Sequence, residues 1–265
     1  CAPHCYGRPI LGWEKSLREM DPSGMRRYHH RRYRGENCCL SLAGNIREDL
    51  IRHVLNSPLA ELETLSDTDP SETTRSALSF KRGRACRRFP RLEAARLMMV
   101  WPVASADDQL AVAGADLATT ILAEGRRSRL VQRLREELQI VESIDMDVTT
   151  LELGSLVMLE ACCPDDQIER VEMEINRQLE QSLTSAIEEE EFNRAMQLVG
   201  NGHRFSLEAP GSVAASAGSQ TLWGRHRDLL APLQDLIHWD ATALRQQVMP
   251  LLQPGNSFTL IARSE

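Results

Sequence analysis

Apolar residues recur with clean periods through the back two thirds of the chain. Leu110, Ala113, Leu117 and Ile121 are spaced by three and four, which predicts a helix opened by Asp107 or Asp108 and ended by Gly125. Arg126 to Leu138 predicts a second, with Leu130, Val131, Leu134 and Leu138 on one face. Asp165-Asp166 opens a longer stripe through Ile168, Val171, Ile175, Leu179 and Leu183. Ile187 to Leu207 gives another, whose acidic first turn, Glu188 to Glu191, complements the helix dipole. Gly211 to Trp223 reads as a small-residue helix, and Asp240 caps a last one through Leu244, Val248 and Leu251. Between these helices lie strand patterns: Ala95 to Val103, Val141 to Thr149, Gly154 to Cys162 and Ser257 to Ala262. The order (strand, two helices, two strands, helices, strand) predicts an α+β domain over residues 91–265. Its sheet is mixed or antiparallel, with helices packed on one face.

The front of the chain is patterned differently. Asp21 is a good N-cap, with Pro22 at the first helical position, for a helix running to about Arg32. Asn37 to Ala43 alternates weakly and predicts a strand ended by Gly44-Asn45; Ile46 to Leu55 predicts a helix. Residues 58–90 lack apolar periodicity. Ser66 to Ser76 is rich in Ser, Thr, Asp and Glu around Pro70, and Lys81 to Arg91 is basic and irregular, so this stretch reads as a linker. Three blocks follow: 1–57, 58–90 and 91–265.

Composition narrows the possible functions. A length of 265 residues suits one or two domains. The formal net charge of -7 argues against general nucleic-acid binding, although Arg26, Arg27, Arg31, Arg32 and Arg34 interleave with Tyr28 and Tyr33. That basic cluster reads as a solvated helix face or a surface meeting an acidic partner. No apolar run approaches the ~20 residues that span a bilayer. The cysteines number 7, with Cys38-Cys39 and Cys162-Cys163 adjacent and no Cys-x-x-Cys. This pattern points to a reducing, cytoplasmic compartment. The chain opens with Cys1 in place of methionine and reads as a fragment or processed product.

Candidate chemistry is sparse. Zinc hydrolysis needs convergent imidazoles and a base. None of the 7 histidines makes His-x-x-Glu-His or His-Glu-x-x-His. There is no Gly-x-Ser-x-Gly elbow. No catalytic or metal-ligating residue is therefore expected within this sequence. Asp145 and Asp147 share one strand face and alternate with Ile144, Met146 and Val148, as on a strand with one wet face.

The opening stretch, HCYGRPILGWEKSLREMDPSGMRRYHHRRYRGENCCLSLAGN, resembles the middle of an insulinase/pitrilysin-type zinc peptidase. There, His-Pro-Tyr-Gly-Arg-Pro leads into a helix, a Tyr-rich turn and a strand ending in Val-Gly-Asp. Here Cys5 replaces the proline, and Ala43-Gly44-Asn45 stands at the strand end. Gly125-Arg126-Arg127-Ser128-Arg129-Leu130, continuing to Leu134-Arg135-Glu136-Glu137, is similar to the family's Gly-Gly-x-Ser-Ser-Arg-Leu…Leu-Arg-Glu segment. Glu190 to Arg194 resembles the start of a later family helix.

The resemblance implies that 1–57 is the tail of one peptidase-type domain and 91–265 the C-terminal domain that follows it. It implies proteolysis of a peptide by the intact protein, with zinc held upstream and a second peptidase-type half or subunit as partner. This chain would wall the peptide chamber and be inactive alone. The family's substrate contacts are an arginine in Leu-Arg-Glu and a tyrosine seven residues later. Arg135 occupies the first position and Glu142 the second, so the pair is broken. The alternative is a non-catalytic pseudopeptidase or scaffold subunit that partners an active half.

Overall fold

The computed structural model describes residues 4–62 and 78–265. Cys1 and the Ser66 to Ser76 part of the expected linker lie outside the described residues. The helices are α1 (Glu14–Glu19), α2 (Pro22–Arg32), α3 (Glu48–Leu55), α4 (Gln109–Ala123), α5 (Ile168–Thr184), α6 (Glu189–Ser206), α7 (Pro210–Leu222), α8 (Ala231–Ile237) and α9 (Ala241–Gln247). The strands are β1 (Gly83–Phe89), β2 (Ala95–Val103), β3 (Ser143–Thr149), β4 (Ser155–Cys163) and β5 (Phe258–Ser264). Contacts divide the chain into two units. One groups the described residues up to 62 with His203–Ala231, and the other holds 78–202 with Pro232–Glu265.

The second unit is built on a five-stranded sheet ordered β1-β5-β2-β4-β3. The pairs β2–β4, β2–β5 and β3–β4 are antiparallel, and β1 lies parallel to β5. This is the mixed sheet that the order of elements predicts. α4 packs on β2, β3 and β4, and α5 packs on β2. Period two selects the core side of each strand. Leu97, Met99 and Trp101 of β2, Ile144 and Met146 of β3, and Val157, Leu159 and Ala161 of β4 join one buried cluster with Leu117, Ile121, Ile168, Ile175 and Leu179. Fully burying each large aliphatic side chain contributes about 1.5–3 kcal/mol. Trp101 satisfies its indole by donating from Nε1 to the Gln253 carbonyl at 2.8 Å.

β1 falls inside the stretch expected to be a linker. Its sequence, GRACRRF, has no apolar face. It is held by backbone pairing to β5 and by Arg84, whose Nε and Nη2 donate to the Glu172 carboxylate on α5 at 2.8 and 2.9 Å. A fork of this kind needs no hydrophobic period, so pattern reading passes over it.

The segment expected as a second helix from Arg126 is tighter at its start and wider later. Ser128 donates to the Gly125 carbonyl at 2.7 Å, and Val131–Glu137 then winds as a π-helical turn. Its end is closed by Leu138 N–H to Arg133 O at 3.1 Å and Ile140 N–H to Leu134 O at 3.0 Å. Between these two donors sits Gln139 with φ at 52°, the left-handed region where glycine is usual. Gln139→Gly should raise stability by about 0.5–1 kcal/mol, because relief of the left-handed strain exceeds glycine's extra unfolded-state entropy. A higher urea midpoint at unchanged m checks this; a lower midpoint would contradict it.

In the first unit, α2 begins as the sequence predicts. Asp21 Oδ1 accepts the Gly24 N–H at 2.6 Å and Pro22 takes the first helical position. The strand expected over Asn37 to Ala43 does not form. Asn37 closes a 3-10 turn, and residues 38–43 form neither helix nor strand, with no sheet partner among the described residues. A weakly alternating sequence becomes a strand only when another strand takes up its backbone donors and acceptors. Here the segment instead runs against the small-residue helix α7, where a Cβ on Gly218 would lie 3.0 Å from Ser41 Cβ. α1, α2, α3 and α7 bury no residue. Trp13, Met20, Met25, Tyr28 and Tyr33 are exposed, and several of them line a groove of about 770 Å³ along α2.

Candidate functional site

The sheet of the second unit has two unlike faces. The buried cluster takes Ala95, Leu97, Met99 and Trp101 from β2 and Val157, Leu159, Ala161 and Cys163 from β4, all of one parity. Residues of the other parity form an open face. Met98, Val100 and Pro102 of β2 and Leu156, Met158 and Glu160 of β4 are half-buried on it, with Phe258 and Leu260 of β5 alongside. β3 adds Ser143, Asp145, Asp147 and Thr149, all exposed. The face therefore has an apolar centre and a carboxylate-bearing rim at β3. On the far side, four strand spacings or roughly 19 Å away, β1 carries Arg87.

Arg96 and Glu160 form an ion pair across β2 and β4 on this face. Cys162 lies beside them, with its Sγ donating to Glu142 Oε2 at 3.6 Å. Burial pushes the Cys162 thiol up, and the Glu142 carboxylate adds to the shift. Cys163 projects into the core, where burial above all, with Cys162 and Asp165 adding, pushes its thiol up to about 12. Both remain thiols at neutral pH and are poor nucleophiles.

Arg135 sits on the exposed side of the π-helical turn. It makes no ion pair with a described residue. Its neighbours in the turn are anchored, with Arg133 donating to Glu137 at 3.0 Å and to the buried Glu174 at 3.3 Å. Glu142 is directed to Cys162, so the structure does not bring the two positions together as a pair.

Among the described residues, no group of three His, Cys, Asp or Glu side chains is placed to hold a metal ion. His29 stacks on Tyr33 with ring centroids 4.4 Å apart, and His238 Nδ1 lies 2.8 Å from the Gln234 carbonyl. No helix among the described residues is long and apolar enough to cross a membrane.

A family profile described as the peptidase M16 inactive domain matches residues 20–199. The chain belongs to this family. M16 is the insulinase/pitrilysin group that the opening motif resembles. The M16 chain is similar in fold to a protease from Helicobacter pylori, with TM-score 0.80 at 14% identity over 96% of this chain and 62% of that one. It is similar to a peptidase M16 inactive domain from Pseudomonas fluorescens, with TM-score 0.77 at 13% identity over 100% of this chain and 63% of that one. A chain of complex III2 from Candida albicans gives TM-score 0.74 at 15% identity over 97% of this chain and 62% of that one. The M16 chain thus spans about three-fifths of the length of these structures. No curated protein matches it.

Sequence reading found the rim but not the face. The alternation of Asp145 and Asp147 marked one wet side of β3. The run Leu97 to Val103 is continuously apolar, so its pattern does not separate a core side from an open one. The signal that could have exposed the second face is parity: Arg96 in β2 and Glu160 in β4 lie on the same side as Met98 and Met158.

Proposed function

We propose that this M16 chain is the C-terminal, non-catalytic portion of an insulinase-like zinc metalloendopeptidase and that the open face of its sheet forms part of the wall around an enclosed peptide. The observation that carries the reading is the one-sided sheet. An apolar strip of Met98, Val100, Met158 and Leu260 lies outside the core cluster and bordered by charge, as a surface meeting an extended chain would be. Arg135, exposed on its anchored turn, is the proposed contact for a peptide carbonyl or carboxylate. Residues 1–57 would be the tail of a preceding peptidase-type domain, which supports a role for the exposed apolar side chains of α1 and α2 in meeting that domain. Zinc would be supplied by a His-x-x-Glu-His site elsewhere in the intact protein or in a partner half. The unbridged cysteines Cys38, Cys39, Cys86, Cys162 and Cys163 support a cytoplasmic setting.

A second reading, a scaffold subunit that positions peptide for an active partner, is favoured by Glu142. An ionised carboxylate cannot donate the hydrogen bond that the tyrosine of the family pair would supply.

Photo-crosslinking tests the wall. With p-benzoylphenylalanine at position 158, an unstructured peptide should crosslink to the full chain. With the same probe at position 180, on the exposed side of α5, it should not. Equal labelling, or none, would remove the open face from the reading. Chelator-sensitive cleavage of the same peptide by this chain alone would overturn the non-catalytic assignment.

A further inference from the structure

The winding of Val131–Glu137 is unfavourable at two points. A π turn is rare, and such turns gather at functional sites. Its closure also puts Gln139 in the left-handed region, with φ at 52°. A backbone of this kind persists only where its surroundings over-determine it. Here the surroundings are a tie to α5. Arg133, inside the turn, donates from Nε to Glu174 Oε2 at 3.3 Å and from Nη1 to Glu137 Oε2 at 3.0 Å. Only 7% of Glu174 is exposed, and Arg177 reaches its other carboxylate oxygen at 3.5 Å. Burying a carboxylate with its partner costs desolvation, and apolar residues of similar volume often stabilise a fold as well or better. The tie therefore has more to do with which winding forms than with how stable the unit is. A π turn holds about one residue more than an α turn. Side chains beyond its start leave the axis in other directions than they would from an α-helix. Arg135 lies two residues after Arg133 in this turn, exposed and without an ion pair to a described residue. The winding sets where its guanidinium points.

We infer that Glu174, acting through Arg133, is a positioning residue: it holds the π winding and thereby aims Arg135 at the peptide. This deepens the proposed Arg135 contact and rests on it. A merely structural Glu174 would only dock the turn on α5. Its loss would then weaken peptide binding by the same factor whether or not Arg135 were present.

The test is a double-mutant cycle read by binding of a fluorescein-labelled unstructured peptide to the full chain. R135A should weaken binding by roughly three- to ten-fold, the range of one hydrogen-bonded contact. E174L should weaken it by a similar factor, although residue 174 touches no peptide. E174L in the R135A background should add nothing further, because the aimed group is already gone. E174Q keeps an acceptor oxygen for the Arg133 guanidinium and should recover part of the affinity. Should E174L fold poorly, R133M/E174L leaves neither charge buried alone and carries the same comparison.

Unchanged affinity in E174L, with R135A weakened, would overturn the positioning role and leave the Arg135 contact standing. Equal weakening by E174L with and without Arg135 would overturn it too, since the effect would then be general. Unchanged affinity in R135A, with crosslinking at position 158 intact, would remove the contact and the inference together while the wall remained. Absence of any binding by the wild type would overturn all three.

Discussion

Gly114→Ala should destabilise the protein by roughly 3 kcal/mol, the opposite of what helix propensity predicts. In an exposed helix interior the same change stabilises by about 1 kcal/mol. Gly114 lies buried in the middle of α4. A Cβ there would sit 2.7 Å from Trp239 Cε2 and 2.9 Å from Cη2, and closer still to Cζ2. The indole cannot swing aside cheaply. Its Nε1 donates to the Leu110 carbonyl at 3.0 Å, and only 9% of the residue is exposed. The next residue, Asp240, caps α9 by accepting the Ala243 N–H at 2.7 Å, which fixes the backbone behind the ring. Overpacking of this kind costs about 1–3 kcal/mol and sometimes more. Adding the burial lost if the ring is displaced gives the larger figure. For a unit of this size the melting temperature should fall by about 6–12 °C. A double-mutant cycle with Trp239→Phe gives the sharper measurement. A smaller ring should recover part of the loss, leaving a coupling of about 1 kcal/mol or more. A melting temperature that rises in Gly114→Ala would show that α4 and Trp239 do not meet as described.

Trp239 and Gly114 also show where sequence reading stops. The helices of the second unit were legible because their stability comes from a periodic face. Ile168, Val171, Ile175 and Leu179 are all buried on α5, as their spacing predicts. The caps at Asp21, Asp108 and Asp240 were legible or nearly so, because the capping oxygen acts within three residues. Interactions that span the chain leave no such mark. A glycine in α4 becomes essential only when a ring 125 positions later arrives beside it. The basic strand β1 becomes a strand only when β5, near the other end of the chain, supplies its partner. Asn37 to Ala43 had a strand pattern of its own but has no sheet partner among the described residues, and it does not form a strand there. The π-helical turn at Val131–Glu137 has an ordinary helical stripe, since periods of 3.6 and about 4.4 residues look alike over two turns. The candidate face was half legible for the same reason. Pattern gives the alternation of Asp145 and Asp147, while register with β4 decides which residues stand next to them.

Arg129 is the second position with a large expected effect. It lies in the segment that resembles the family's Ser-Ser-Arg-Leu, and its geometry makes it a clamp. Nε and Nη2 donate to the two oxygens of Glu191 at 2.7 Å each, and Nη2 also donates to the Ala186 carbonyl at 2.9 Å. Both side chains are mostly buried, with 16% and 17% exposed. The fork ties the loop after α4 to the first turn of α6, beside Arg194, whose Nη1 donates to the Glu124 carbonyl at 2.9 Å. Arg129→Met should cost about 2–4 kcal/mol, chiefly because Glu191 is left charged and underpartnered in a poorly solvated place. Arg129→Lys keeps the charge but loses the planar fork, so a loss of about 1–2 kcal/mol is expected. The decisive comparison is Arg129→Met with Glu191→Leu. Removing both charges should restore most of the stability that the single change removes, because neither partner then stays buried alone. Chemical denaturation of the three variants reads this directly. If the double variant were as unstable as the sum of its parts, the pair would not be the clamp.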